Sequence, residues 1–285
     1  MKVIDINPYT VLKTGFFCKR GKKDCEGYQK KLKWLEARFA EGMRIKMLNP
    51  SEGGRGFIEY IPGEYAWRPV YAEGYMFIHC LWVAGESKGK GYASQLLEDC
   101  LTDASHRGMN GLAMVTSESD WLVSKRFLFG EGFESMDQAP PTFELLVNRF
   151  NRAPAPSFPK NWDERLRRLG DGLTIVRTDQ CPYVDEGAQA ALDAAKELGL
   201  RTRVVELKSC REVREYAPSP YGVFSIVLNG RLLSYHYLSK KDLLPRMQEA
   251  LRFENSMRRP RRKSRAAASP AKPRRRRQSP SPRKK

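Results

Sequence analysis

The run Tyr75-Met76-Phe77-Ile78-His79-Cys80-Leu81-Trp82-Val83 is almost wholly apolar, and Gly85-Glu86-Ser87-Lys88-Gly89-Lys90-Gly91-Tyr92-Ala93 follows it closely. An apolar run of this length reads as a buried, central strand. From Ser94 onward, Leu96, Leu97, Cys100, Leu101 and Ala104 recur at helical spacing. Two glycines and two lysines over 88–91 are more than a bare turn requires. Glycine lets a backbone approach a ligand closely, and the first helical turn leaves N–H groups unpaired at the positive end of the helix dipole. That combination describes a phosphate site. A Walker-type P-loop is excluded, because no Gly-Lys-Ser/Thr follows at the required gap.

The chain around this feature is long enough for two modest domains, at 285 residues. Its formal charge of +18 is unevenly placed: 14 of the 51 Lys and Arg lie in 256–285 with no acid, leaving 37 against 33 acids elsewhere. The basic character therefore belongs to a tail. Six cysteines are scattered without a CxxC pair, the opening residues lack a secretory pattern, and no apolar run approaches a membrane span. The expectation is a reduced, cytoplasmic protein without a metal site and without a membrane partner.

Four segments are expected: a first domain over 1–150, a proline-rich extended linker over 151–172, a second domain over 173–255, and a disordered basic tail over 256–285. In the first, a helix (26–39) precedes strands at 43–48, 56–61 and 75–83. The helix after the glycine loop, a strand at 111–116, a short helix near 121–129, and strands near 133–137 and 142–148 complete a mixed α/β sheet unit.

This order, with a glycine loop after the central strand, resembles the GNAT (Gcn5-related) N-acetyltransferases. Leu81-Trp82-Val83 matches their strand ending, and Lys88-Gly89-Lys90-Gly91-Tyr92-Ala93 matches their loop, with lysine where arginine or glutamine is usual. The stretches 57–67 and 74–80 resemble the branch carrying a YoaP-like C-terminal domain. The resemblance implies the GNAT fold and an N-acetyltransferase using acetyl-CoA as co-substrate. The amides from Lys88 to Ala93 would hold its pyrophosphate, and the amide near Trp82–Val83 would polarise the thioester carbonyl. The acceptor is an amine, a small molecule ahead of a protein lysine.

For the proton chemistry the resemblance leaves a gap, since 126–130 has no hydroxyl where many relatives place a tyrosine acid. The base is open among His79, Glu59 and Glu64. Strict alternation puts Tyr75, Phe77, His79, Leu81 and Val83 on one face, with a hydrogen-bonded core histidine as the bland reading of His79. Tyr65 and Trp67 are wall or packing residues.

In the second domain, strands at 173–177 and 203–207, a helix at 186–198, a hairpin with an Asn229-Gly230 turn and a closing helix at 243–251 resemble a thioredoxin-like fold. Cys181-Pro182-Tyr183-Val184 is similar to a glutaredoxin site that has kept one cysteine, and Pro220 is the candidate cis-proline. Cys181 is either a reactive thiol with a lowered pKa or a packing relic. The tail suits non-specific nucleic acid, an acidic surface or a solubility role. The alternative function is a CoA- or thiol-sensing nucleic-acid-binding protein without turnover.

Overall fold

The computed structural model describes residues 1–118 and 121–258. The chain opens with β1 (Val3–Ile6), α1 (Val11–Thr14) and α2 (Glu26–Ala40). Strands β2 (Arg44–Leu48), β3 (Gly56–Pro62) and β4 (Met76–Val83) lead to α3 (Tyr92–His106), β5 (Gly111–Thr116) and α4 (Lys125–Gly130). Strands β6 (Glu134–Ala139) and β7 (Phe143–Arg149) complete a seven-stranded sheet, ordered β1-β2-β3-β4-β5-β7-β6. Every pairing in it is antiparallel except β4 with β5.

The apolar 75–83 run does form the middle strand. Its neighbour α3 buries Leu96, Leu97, Cys100 and Ala104, the i, i+1, i+4, i+8 stripe of one helix face, against Ile58, Tyr60, Ile78 and Leu81. Full burial of a leucine-sized side chain contributes about 1.5–3 kcal/mol, so this stripe fixes the start of α3 beside the end of β4.

After β7, the segment expected to be an extended linker is packed. Tyr71 and Ser157 exchange backbone hydrogen bonds of 2.8 and 3.0 Å, and α5 (Trp162–Arg167) follows. Phe158 and Trp162 are buried against Phe77 and Val115. Proline density signalled extension, but two aromatic side chains supply enough apolar surface to hold the segment on the sheet.

A second, four-stranded sheet comprises β8 (Leu173–Arg177), β9 (Thr202–Glu206), β10 (Phe224–Leu228) and β11 (Arg231–Ser234), ordered β11-β10-β8-β9. β8 and β9 are parallel, and the other pairs antiparallel. Helix α6 (Val184–Glu197) crosses between β8 and β9, α7 (Cys210–Tyr216) precedes β10, and α8 (Lys240–Arg258) closes the unit. The Asn229-Gly230 turn has φ of 49° and 72°, as a type I′ hairpin needs. The Ser219–Pro220 bond is trans, contrary to expectation, since Pro140–Pro141 is the one cis bond among the described residues. Residues 256–258 continue α8, so the expected disordered stretch does not begin at 256, and the rest of the basic tail lies outside the described residues. Among the described residues, no helix is long and apolar enough to cross a membrane.

The two sheets share a core. Phe57 and Ile61 of β3, with Trp34 and Leu35 of α2, cluster with Val176, Leu207, Val213 and Ala217 of the second unit. Gly27 of α2 lies so close to the Pro182 carbonyl that an added Cβ would sit 2.2 Å from its oxygen. Only a residue without a side chain permits that approach.

Candidate active site

β4 and β5 pair only at Met76–Leu112, Phe77–Ala113 and Ile78–Met114. Beyond Ile78, β4 runs on to Val83 paired with β3 alone, so its edge toward β5 is released. At that release lies a cavity of about 600 Å³, lined by Leu81–Val83, residues of the glycine loop, Ser94, Val123, Ser124 and Phe127. The sequence-predicted loop and strand end are therefore brought together on one wall.

The loop itself is built by two left-handed glycines. Gly89 has φ +73°, and Gly91, the N-cap of α3, has φ +76°; nothing lies within 4 Å of where a Cβ would stand on either. No side chain among the described residues caps α3. Among the described residues, no protein acceptor receives the N–H groups of Gly89, Lys90, Gly91, Tyr92, Ala93 or Ser94; the first helical bond runs from Gln95 to the Gly91 carbonyl. Ser87 anchors the loop from inside, its Oγ accepting the Arg55 N–H at 3.1 Å. The Lys88 ammonium lies 5.9 Å from the Trp82 ring centroid.

The opposite face of β4 differs from strict alternation. Glu59 pairs with Cys80 and Tyr60 with Ile78, leaving His79 as an extra residue in a bulge. The bulge shifts the alternation by one. Leu81 packs with the α3-side core, whereas His79 and Cys80 line a smaller cavity under the second sheet. His79 and Leu81 do not share a face.

His79 is buried, and its Nε2 accepts the Trp67 N–H at 2.9 Å. The ring proton therefore sits on Nδ1, 3.7 Å from Glu59 Oε1. Burial, with help from Arg68 and against the pull of Glu59, lowers the imidazole to about 4. With its lone pair engaged by the Trp67 N–H, His79 has the setting of a hydrogen-bonded core histidine. Glu59 accepts from Lys31 Nζ at 2.6 Å; burial alone would raise its carboxyl, but Lys31 and His79 bring it down to about 2. Glu64 is exposed in the turn after β3, accepting the Gly74 N–H at 3.4 Å, and lines neither cavity. Trp67 packs edge-on to Trp34, while Tyr65 is exposed.

Cys181 lines the same small cavity, and desolvation by burial pushes its thiol up, opposite to the lowered pKa expected of a reactive cysteine. Three functional-looking residues were not singled out in the sequence. Lys31, Arg68 and Gln180 meet here although each comes from a distant segment. A lysine on the buried face of an apolar-striped helix was the one available signal, for Lys31. No group of three or more His, Cys, Asp or Glu is placed to hold a metal among the described residues.

A family model described as the acetyltransferase (GNAT) family matches residues 26–129. The uncharacterized N-acetyltransferase YoaP of Bacillus subtilis (strain 168) is 32% identical over 212 residues, covering 73% of this chain and 83% of the relative. Among solved structures, PaiA N-acetyltransferase from Thermoplasma acidophilum, in complex with coenzyme A, is 12% identical over 53% of this chain and 100% of its own, with a TM-score of 0.37. A GNAT acetyltransferase from Staphylococcus aureus Mu50 is 13% identical over 52% and 99%, with a TM-score of 0.38.

Proposed function

The chain belongs to the GNAT family of N-acetyltransferases, and from that membership we propose that it transfers the acetyl group of acetyl-CoA directly to a small-molecule amine. The observation that carries the reading is the uncapped start of α3 at the point where β4 leaves β5. Six amides without protein acceptors and two glycines with open space at Cβ fit a diphosphate. The apolar side chains of Leu81, Val83 and Phe127 fit the uncharged arm beyond it.

Acetyl-CoA supplies an activated thioester carbonyl. The loop amides from Gly89 to Ser94 anchor the co-substrate, the expected Lys88 amide being taken by the Gly85 carbonyl at 3.1 Å, and Leu81–Val83 position the thioester, with a β4 amide at Trp82–Val83 donating to the developing oxyanion. The amine nitrogen forms the new C–N bond as the C–S bond breaks. The proton it gives up balances the one taken by the departing thiolate. His79 and Glu59 stand on the acceptor side as binding and positioning residues, because their basic atoms are already engaged. Their low pKa values suit them poorly for proton abstraction. Glu64 is outside this arrangement.

The second sheet unit supports a small acceptor, since it covers the face of β3 and β4 carrying Glu59 and Cys80. Its strand order fits a thioredoxin-like module, here serving as a wall and not as an oxidoreductase: the second cysteine position is Val184.

Gly91→Asp tests the co-substrate site, by adding a Cβ at φ +76° and a negative charge at the helix start. Gly91→Asn controls for the backbone, because asparagine tolerates the left-handed region without charge. Calorimetry is expected to show acetyl-CoA binding about tenfold or more weaker in the aspartate variant than in the asparagine one. Equal affinities in all three proteins would remove the assignment.

A further inference from the structure

The cavity lined by His79 and Cys80 measures about 50 Å³. Its polar lining comes from Lys31, Glu59, Arg68, His79 and Gln180, each more than nine-tenths buried. Their charges do not cancel. Lys31 and Glu59 neutralise one another at 2.6 Å. Among the described residues, no carboxylate forms an ion pair with Arg68: it donates to the Trp67 carbonyl at 2.8 Å, the His79 carbonyl at 2.8 Å and Gln180 Oε1 at 2.5 Å, and lies over the Tyr221 ring. Arginine stays protonated in proteins, so one positive charge is left over with His79 neutral.

Hydrogen-bond capacity is unbalanced in the same sense. Among the described residues, His79 Nδ1–H has no acceptor within hydrogen-bond reach, Glu59 Oε1 lying 3.7 Å away. Glu59 is engaged by Lys31 and, at 3.4 Å, by Gln180 Nε2. A buried cation without a counter-ion and a buried donor without an acceptor are each unfavourable. Arg68 and His79 line the same cavity, so one anionic oxygen group bound in it would answer both deficits. By size, at about 10–15 Å³ per water-sized probe, the cavity holds about four small heavy atoms, the bulk of a carboxylate and its adjoining carbon.

We propose that this cavity binds the carboxylate of the acceptor, so that the enzyme acetylates small amino acids and not neutral amines of similar size. The inference rests on the transfer reading above and adds the substrate class to it. Gln180, contributed by the second sheet unit, then becomes a specificity residue: its amide oxygen orients Arg68 and its NH2 group occupies Glu59. This gives the second unit a chemical role at the acceptor site.

The test uses the full chain. Glycine and alanine are compared with glycinamide and alaninamide in a CoA-release assay, and sodium acetate is titrated calorimetrically as a probe of the anion site alone. The amino acids are expected to have kcat/KM at least tenfold above their amides, and acetate is expected to bind. Gln180→Glu places a carboxylate of the protein beside Arg68; it should abolish acetate binding and the preference while acetyl-CoA affinity stays within twofold. Amides equal to amino acids, or no acetate binding to the wild-type protein, would overturn the proposal without any variant. Retention of the preference in Gln180→Glu would also overturn it. If acetyl-CoA binds and acetate binds but no amine is acetylated, transfer fails and the anion site stands.

Discussion

The buried imidazole of His79 gives the fold a defined acid sensitivity. Burial, with Arg68 adding to it, holds the ring near 4 in the folded protein against an ordinary 6.5. Between those values the unfolded chain takes up a proton that the folded one refuses, so stability rises with pH across the window. The contribution is complete above about 6.5 and is lost as pH falls toward 4. At about 1.4 kcal/mol per tenfold in proton affinity, the gap corresponds to about 3 kcal/mol, most of it gone by pH 4.5. Glu59, held near 2, acts in the same direction but only below about 4.5. His236 is also lowered by burial, so the wild-type curve alone does not isolate His79. The experiment is therefore a difference: urea unfolding of wild type and His79→Gln from pH 7.5 to 4.5. Whatever the substitution costs at pH 7.5 through the lost Trp67 hydrogen bond, that cost should shrink by about 2–3 kcal/mol at pH 4.5. A pH-independent difference would refute the assignment of a neutral, desolvated ring.

Lys31→Met should cost about 3–5 kcal/mol by leaving the Glu59 carboxylate buried without its cation, and adding Glu59→Gln should recover most of the loss in urea midpoints. Gly27→Ala should lower the thermal midpoint by forcing α2 away from the Pro182 carbonyl, at about 1–3 kcal/mol. Unchanged melting would mean that the helix moves freely there.

What the sequence made legible was local and periodic. The strand at 75–83, the loop and the α3 stripe could be placed because an apolar run, left-handed glycines and helical spacing each act over a few residues. β1 and α1 span four residues each, too short for a period to show. Helix α7 was missed for a related reason, buried only at Val213 among charged neighbours. The bulge at His79 defeated alternation, because one inserted residue reverses every side chain after it and nothing in Ile78-His79-Cys80 announces it. Cys181 misled in a different way. The motif suggested a solvated thiol beside a helix start, but its environment is set by β3 and β4, more than a hundred residues away in sequence. Arg68 and Gln180 were invisible for the same reason.

The near contact between Gly27 and the Pro182 carbonyl bears on how such enzymes can be recombined. The bare notch on α2 and the loop that fills it form a lock and its key. A C-terminal module of this kind could not be grafted onto another acetyltransferase by matching termini alone. The recipient needs the same gap in its own helix, or the graft will ride loosely and leave its inner face wet.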